Sequence, residues 1–121
     1  MANTLTITAC DNELVLIAYT GANSYQIADI KSGNNEPVNF TISLQSGQYT
    51  GPLNLNGVTT PLSGNYNVYL APGAYTLVAT GINWGGPQAY AVSLNGAALK
   101  PVYTNPEVGV VWVSSPVSLQ Q

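Results

Sequence analysis

The sequence predicts an all-β fold: a single-domain antiparallel β-sandwich of about eight short strands, of jelly-roll or immunoglobulin-like type, covering residues 1–121. Three observations carry that expectation. Apolar residues recur with a period of two, Gly, Pro and Asn punctuate the pattern, and no stretch has a clear helical period. A chain of 121 residues also buries roughly two thirds of its unfolded surface, enough for one core without metal or disulfide.

The clearest strand is 38–44, where Val38, Phe40, Ile42 and Leu44 point one way and Asn39, Thr41 and Ser43 the other. The same alternation predicts strands over 4–9, 14–19, 25–30, 66–71, 74–80, 89–94 and 108–113. Pro72-Gly73 suits the centre of a type II turn, because Pro presets φ and Gly accepts a positive one, so 66–80 is expected to be a hairpin. Asn56-Gly57 and Asn95-Gly96 fit type I′ turns, which match strand twist. Their similar Gly-Pro surroundings read as shared turn chemistry rather than as an internal repeat. The polar run 32–35, flanked by Lys31 and Glu36, reads as a loop.

Charge is almost absent. Two lysines and five acidic residues make 6% of the chain, with no histidine and a net charge of −3, where an average soluble domain is about a quarter charged. Lys31 and Lys100 cannot build the phosphate-neutralising patch that nucleic-acid binding needs, so no nucleic-acid partner is expected. The longest wholly apolar stretch, 14–19, is far too short to span a bilayer of about 30 Å, and no membrane insertion is expected. The start, Met1-Ala2-Asn3-Thr4-Leu5, has neither a basic n-region nor an apolar h-region, so the expectation is synthesis in the cytoplasm.

Catalysis lacks its usual groups. Without histidine, Ser-His-acid and Cys-His arrangements cannot be assembled, and a single cysteine with scattered carboxylates is poor material for zinc; no catalytic residue, metal or cofactor is expected. Paired carboxylates are the remaining route, since glycoside hydrolysis needs two placed about 5 to 10 Å apart. Asp11 and Glu13 are the closest pair in sequence, and Asp11-Asn12-Glu13 reads as a solvated loop between the first two strands, with calcium a minor alternative. Cys10 reads as a small core residue at a strand end. Asn39-Phe40-Thr41 has the form of a glycosylation sequon but lies inside the best strand, which makes it a chance match.

Aromatic residues beside neutral hydrogen-bonding groups are what the chain does offer. The loop predicted over 81–90 sets Trp84 among Gly and Pro, where a ring could stack on a sugar while Asn83 and Gln88 bond its hydroxyls and Tyr90 stands close by. The competing reading folds Trp84 back as a cap on the core. Tyr66 and Tyr69 have opposite parity on one strand, so at least one faces away from the core; Trp112 lies in a run apolar on both parities. Tyr66, Tyr69 and Trp112 are therefore the candidate interface residues.

Three functions follow, in this order. The first is a non-catalytic structural or interaction protein, a homo-oligomer or a decoration on a larger protein shell such as a virion or an extracellular assembly, because neutral surfaces bury without the desolvation cost of charge and few lysines guard the sheet edges. The second is a carbohydrate-binding lectin using the Trp84 loop. The third is an enzyme with two carboxylates.

Overall fold

The computed structural model describes residues 2–33 and 37–121; the run 34–36, part of the polar loop expected from the sequence, lies outside the described residues. Among the described residues there are twelve strands and no helix. They are β1 (Asn3–Asp11), β2 (Glu13–Thr20), β3 (Asn23–Ser32), β4 (Val38–Ser46), β5 (Leu53–Gly57) and β6 (Leu62–Leu70), then β7 (Ala74–Asn83), β8 (Ala89–Leu94), β9 (Ala97–Ala98), β10 (Pro101–Thr104), β11 (Gly109–Ser114) and β12 (Val117–Gln120). The all-β sandwich is as the sequence predicts, with four strands more than the eight expected: β5, β9, β10 and β12.

One sheet has the order β6-β4-β1-β8-β9; the other runs β10-β11-β7-β2-β3-β5, with β12 also paired to β7. The sheets are mixed rather than purely antiparallel, because β4 pairs β6 and β3 pairs β5 in parallel. The cause is the path of the chain. From β3 to β7 successive strands alternate between the two layers, so a strand that returns to a sheet after one visit to the other arrives in its original direction.

Alternation explains the core. Leu5 and Ile7 of β1 and Phe40, Ile42 and Leu44 of β4 face Leu14 and Leu16 of β2, Ile30 of β3 and Leu77 of β7, all fully buried. Each such side chain contributes about 1.5–3 kcal/mol relative to remaining exposed. At one end Tyr25 packs edge-on against Tyr49 and Tyr75, with ring centroids 5.2 and 6.2 Å away. The outer face of the five-stranded sheet is neutral and polar, with Thr6, Thr41 and Asn65 in one cross-strand row and Thr4, Ser43 and Asn67 in the next.

Two turn expectations are corrected. Residues 66–80 are not a hairpin: β6 edges the five-stranded sheet and β7 sits inside the other, so Pro72-Gly73 carries the chain between layers. Gly73 and Gln121 exchange two backbone hydrogen bonds of 3.1 and 2.8 Å, which ties that crossing to the end of the chain. Asn56-Gly57 closes β5 instead of forming a type I′ turn. Gly57 is needed there for close packing, since a Cβ would stand 2.5 Å from Leu62 Cγ. Asn95-Gly96 does make the expected turn, with φ of 52° and 85°, and Cys10 is buried in β1 as expected.

Candidate functional site

The site grows out of the place where the chain first changes layer. β1 ends at Asp11 and β2 begins at Glu13 in the other sheet, leaving Asn12 as the whole connection. The solvated loop expected at Asp11-Asn12-Glu13 is therefore not what forms: Asn12 is buried. Its backbone N–H donates to Ile82 O at 3.2 Å, its carbonyl accepts from Ser32 N at 2.7 Å, and its Oδ1 accepts from Trp84 N at 2.8 Å. Asn12 thus holds the ends of β3 and β7 together.

The loop after β7 is shorter than the sequence suggests, 84–88, because residues 81–83 continue β7 and 89–90 begin β8. Asn83 is only 2% exposed. Its Nδ2 donates to Gly86 O (3.2 Å) and Glu107 O (3.0 Å), and its Oδ1 accepts from Gly85 N (3.2 Å). Gln88 Nε2 donates to Asn105 O at 2.7 Å. Both amides expected to meet a sugar are thus turned inward, where they shape the loop. Positive φ at Gly85 (135°) and Gly86 (81°) lets the backbone bend around Asn83.

Trp84 itself is 48% exposed, so it does not cap the core. The Glu13 carboxyl group stands close to the Trp84 side chain and to Asp29. Lys31 Nζ lies 3.6 Å from Glu13 Oε2 and 3.5 Å from Asp29 Oδ2. Glu13 is held above its ordinary carboxyl range, first by the hydrogen bond with Asp29, then by burial and by the Asp29 charge. Asp29 Oδ1 is buried with no hydrogen-bond partner, and a proton on Glu13 supplies a donor beside it. Asp11, raised by burial, adds a further carboxyl near this end.

Tyr90 and Trp112 form the wall behind the loop rather than a surface. Their rings stack at 5.7 Å with an interplanar angle of 23°. Burial and then the Asp11 charge push the Tyr90 hydroxyl well above its ordinary range. The Tyr90 ring lies so close over β7 that a Cβ on Gly81 would stand 2.5 Å from its Cε1. Trp112, expected at an interface, is instead buried within the domain, next to a shift in the β11–β7 register between Val110 and Trp112 that interrupts simple alternation. Tyr66 packs edge-on against Phe40 at 5.8 Å, whereas Tyr69 is exposed on the edge strand.

Five of the eight large apolar side chains exposed among the described residues gather at this side of the molecule: Trp84, Val102, Tyr103, Val108 and Val110. β10 is an edge strand, and all four of its residues are exposed. The hairpin it forms with β11 is held by Asn105 N to Val111 O (2.8 Å) and Ser115 N to Lys100 O (2.7 Å). Sequence reasoning missed this patch because 101–104 is short and begins with Pro, although Val102 and Tyr103 carried the aromatic and β-branched signal of a strand.

Among the described residues no three His, Cys, Asp or Glu side chains are placed to hold a metal ion. No protein-family model matches the chain, and no curated protein or solved structure is detectably similar to it.

Proposed function

We propose that this protein is a non-catalytic assembly subunit that associates through its β10–β11 edge, with copies of itself and onto a larger protein shell such as a virion. The observation that carries the reading is the set of exposed Val102 and Tyr103 on the edge strand β10 and Val108 and Val110 at the start of its partner β11, with exposed Trp84 following β7. Apolar clusters of this kind mark association surfaces, and an edge strand offers unpaired backbone groups as well. β10 itself contains no charged residue, and the lysines in the chain are Lys31, paired with acids elsewhere, and Lys100. Pro101 and the register shift between Pro101 and Tyr103 restrict pairing to the later part of the strand, which favours one register over indiscriminate aggregation.

The carboxylates support a non-catalytic role. Glu13 and Asp29 share one ammonium, Lys31 Nζ, at 3.6 and 3.5 Å, whereas glycosidase pairs stand about 5 to 10 Å apart with the substrate between them. Carbohydrate binding at Trp84 is the second reading; the exposed ring favours it, but the Asn83 and Gln88 amides beside it are already occupied.

Amide hydrogen exchange tests the assembly reading. In concentrated protein the outward-facing amides of Val102 and Thr104 are expected to be protected, and dilution is expected to release them while the β2 and β7 amides stay slow. Exchange at Val102 and Thr104 that is fast at every concentration would count against the edge as the contact.

A further inference from the structure

At the far end of β7 from Trp84, a groove of about 340 Å³ opens beside β2 and β12. Its floor is one cross-strand row: Tyr19 of β2 pairs with Thr76 of β7, and Thr76 with Ser118 of β12. Tyr19 is 42% exposed and forms an aromatic wall, and Thr20 and Gln120 complete the polar rim. We infer that this groove is a binding site for a neutral saccharide, one or two rings long, that stacks on Tyr19 and hydrogen-bonds Thr76, Ser118 and Gln120.

Three properties of the groove agree on that ligand class. Its lining carries no charged residue, so an anionic or cationic ligand would gain nothing from an ion pair there. A phenol ring beside hydroxyls and an amide matches a pyranose, which has an apolar face and a polar rim. Further, the side-chain polar groups of Tyr19, Thr20, Thr76, Ser118 and Gln120 make no hydrogen bond to other described residues. They are open to a ligand, in contrast to Asn83 and Gln88 at the other end, whose amides are occupied within the protein. The volume lies at the small end of the range for small-molecule sites, about 300–1,000 Å³, which limits the ligand to one or two sugar rings. Gly21 of the β2–β3 turn also lines the groove, with no atom within 4 Å of where a Cβ would stand.

The test is a two-dimensional NMR titration of the intact protein with glucose, galactose, mannose, N-acetylglucosamine, cellobiose and lactose. Saturable shifts are expected at Tyr19, Thr76 and Ser118 with at least one sugar. Tyr19→Ala should weaken that binding about tenfold through loss of stacking, Tyr19→Phe should retain most of it, and Trp84→Ala should leave it unchanged. Tyr19 is at the surface, so unperturbed core signals in Tyr19→Ala are expected and check its fold. The inference is overturned by a folded protein whose groove amides respond to none of these sugars, by shifts centred on Trp84, or by a Tyr19→Ala variant that binds as tightly as the parent. None of those results bears on the β10 edge, whose exchange behaviour is read separately.

Discussion

Asn12 Oδ1 accepts a 2.8 Å hydrogen bond from the backbone N–H of Trp84, joining residues 72 positions apart and fixing the start of the exposed loop to the first crossing between the sheets. The bond is partly buried, and removing the Asn12 amide takes away the partner of the Trp84 N–H. Losing a hydrogen bond of this kind costs about 0.5–1.5 kcal/mol. Asn12→Ala is expected to lower stability by that order in a urea titration and to increase the mobility of Trp84, read as a fall in fluorescence anisotropy relative to a Trp112→Phe background that isolates its emission.

Asn83→Ala should cost more than Asn12→Ala. It removes three hydrogen bonds at once and leaves Gly86 O, Glu107 O and Gly85 N to find other partners. A loss of about 2–4 kcal/mol is the expected outcome, since individual bonds contribute about 1 kcal/mol each and the orphaned groups add to that. Chemical denaturation checks it, and equal effects of the two substitutions would mean that the loop is not organised around Asn83.

Gly81 is present because Tyr90 lies on it. A methyl group 2.5 Å from Tyr90 Cε1 cannot be accommodated while the ring is stacked on Trp112. Gly81→Ala should therefore destabilise by about 1–3 kcal/mol, as overpacked cores do. Adding Tyr90→Leu to Gly81→Ala should cost less than the two changes summed, and a thermal-melt double-mutant cycle measures that coupling.

How much of this was legible in the sequence depends on range. Strands of six or more residues with alternating faces, such as 38–44, could be read directly, as could the Asn95-Gly96 turn, because both signals are local. Pro72-Gly73 was locally ambiguous: its chemistry suits a hairpin and a crossing between layers equally, and only the distant pairing of β6 with β4 and of β7 with β2 decides. The same holds for the site. Trp84 stood out as a loop tryptophan, but the fate of Asn83 rests on Glu107, 24 residues on. The Glu13–Lys31 pair was closer to hand. A tight turn at Gly21-Ala22 places Thr20 opposite Asn23, and following that ladder back, with one shift between Leu16 and Ile17, sets Glu13 opposite Lys31.

Glu13 gives the stability a pH dependence of known sign. Its folded-state pKa is raised above the ordinary 4.5, mainly by the hydrogen bond with Asp29. The folded protein therefore binds this proton more tightly than the unfolded chain. The resulting stabilisation is fully present below about 4.5 and is lost as pH rises through the folded value. Glu13→Gln should flatten that part of the urea-midpoint profile, whereas a parent profile that rises through the window from this residue would reverse the assignment.

Cys10 should be chemically silent in the folded state. Burial pushes its thiol from 9.0 to about 11, against a smaller opposing effect of the Ser32 hydroxyl. At pH 8 the thiolate, the reactive form, is nearly absent and also inaccessible. Ellman's reagent should thus react only on unfolding. Since the folded pKa is the higher, stability should also fall as pH rises from 9 toward 11.

Sedimentation velocity over a wide concentration range, comparing the parent protein with a Val102→Lys/Val110→Lys variant, tests the assembly surface most directly. Both side chains are exposed, so the variant should keep the parent's melting temperature. The expected result is a parent that sediments as a dimer or larger species as concentration rises and a variant that stays monomeric. A parent that remains monomeric throughout, or a variant that associates just as the parent does, would contradict association through the β10–β11 edge.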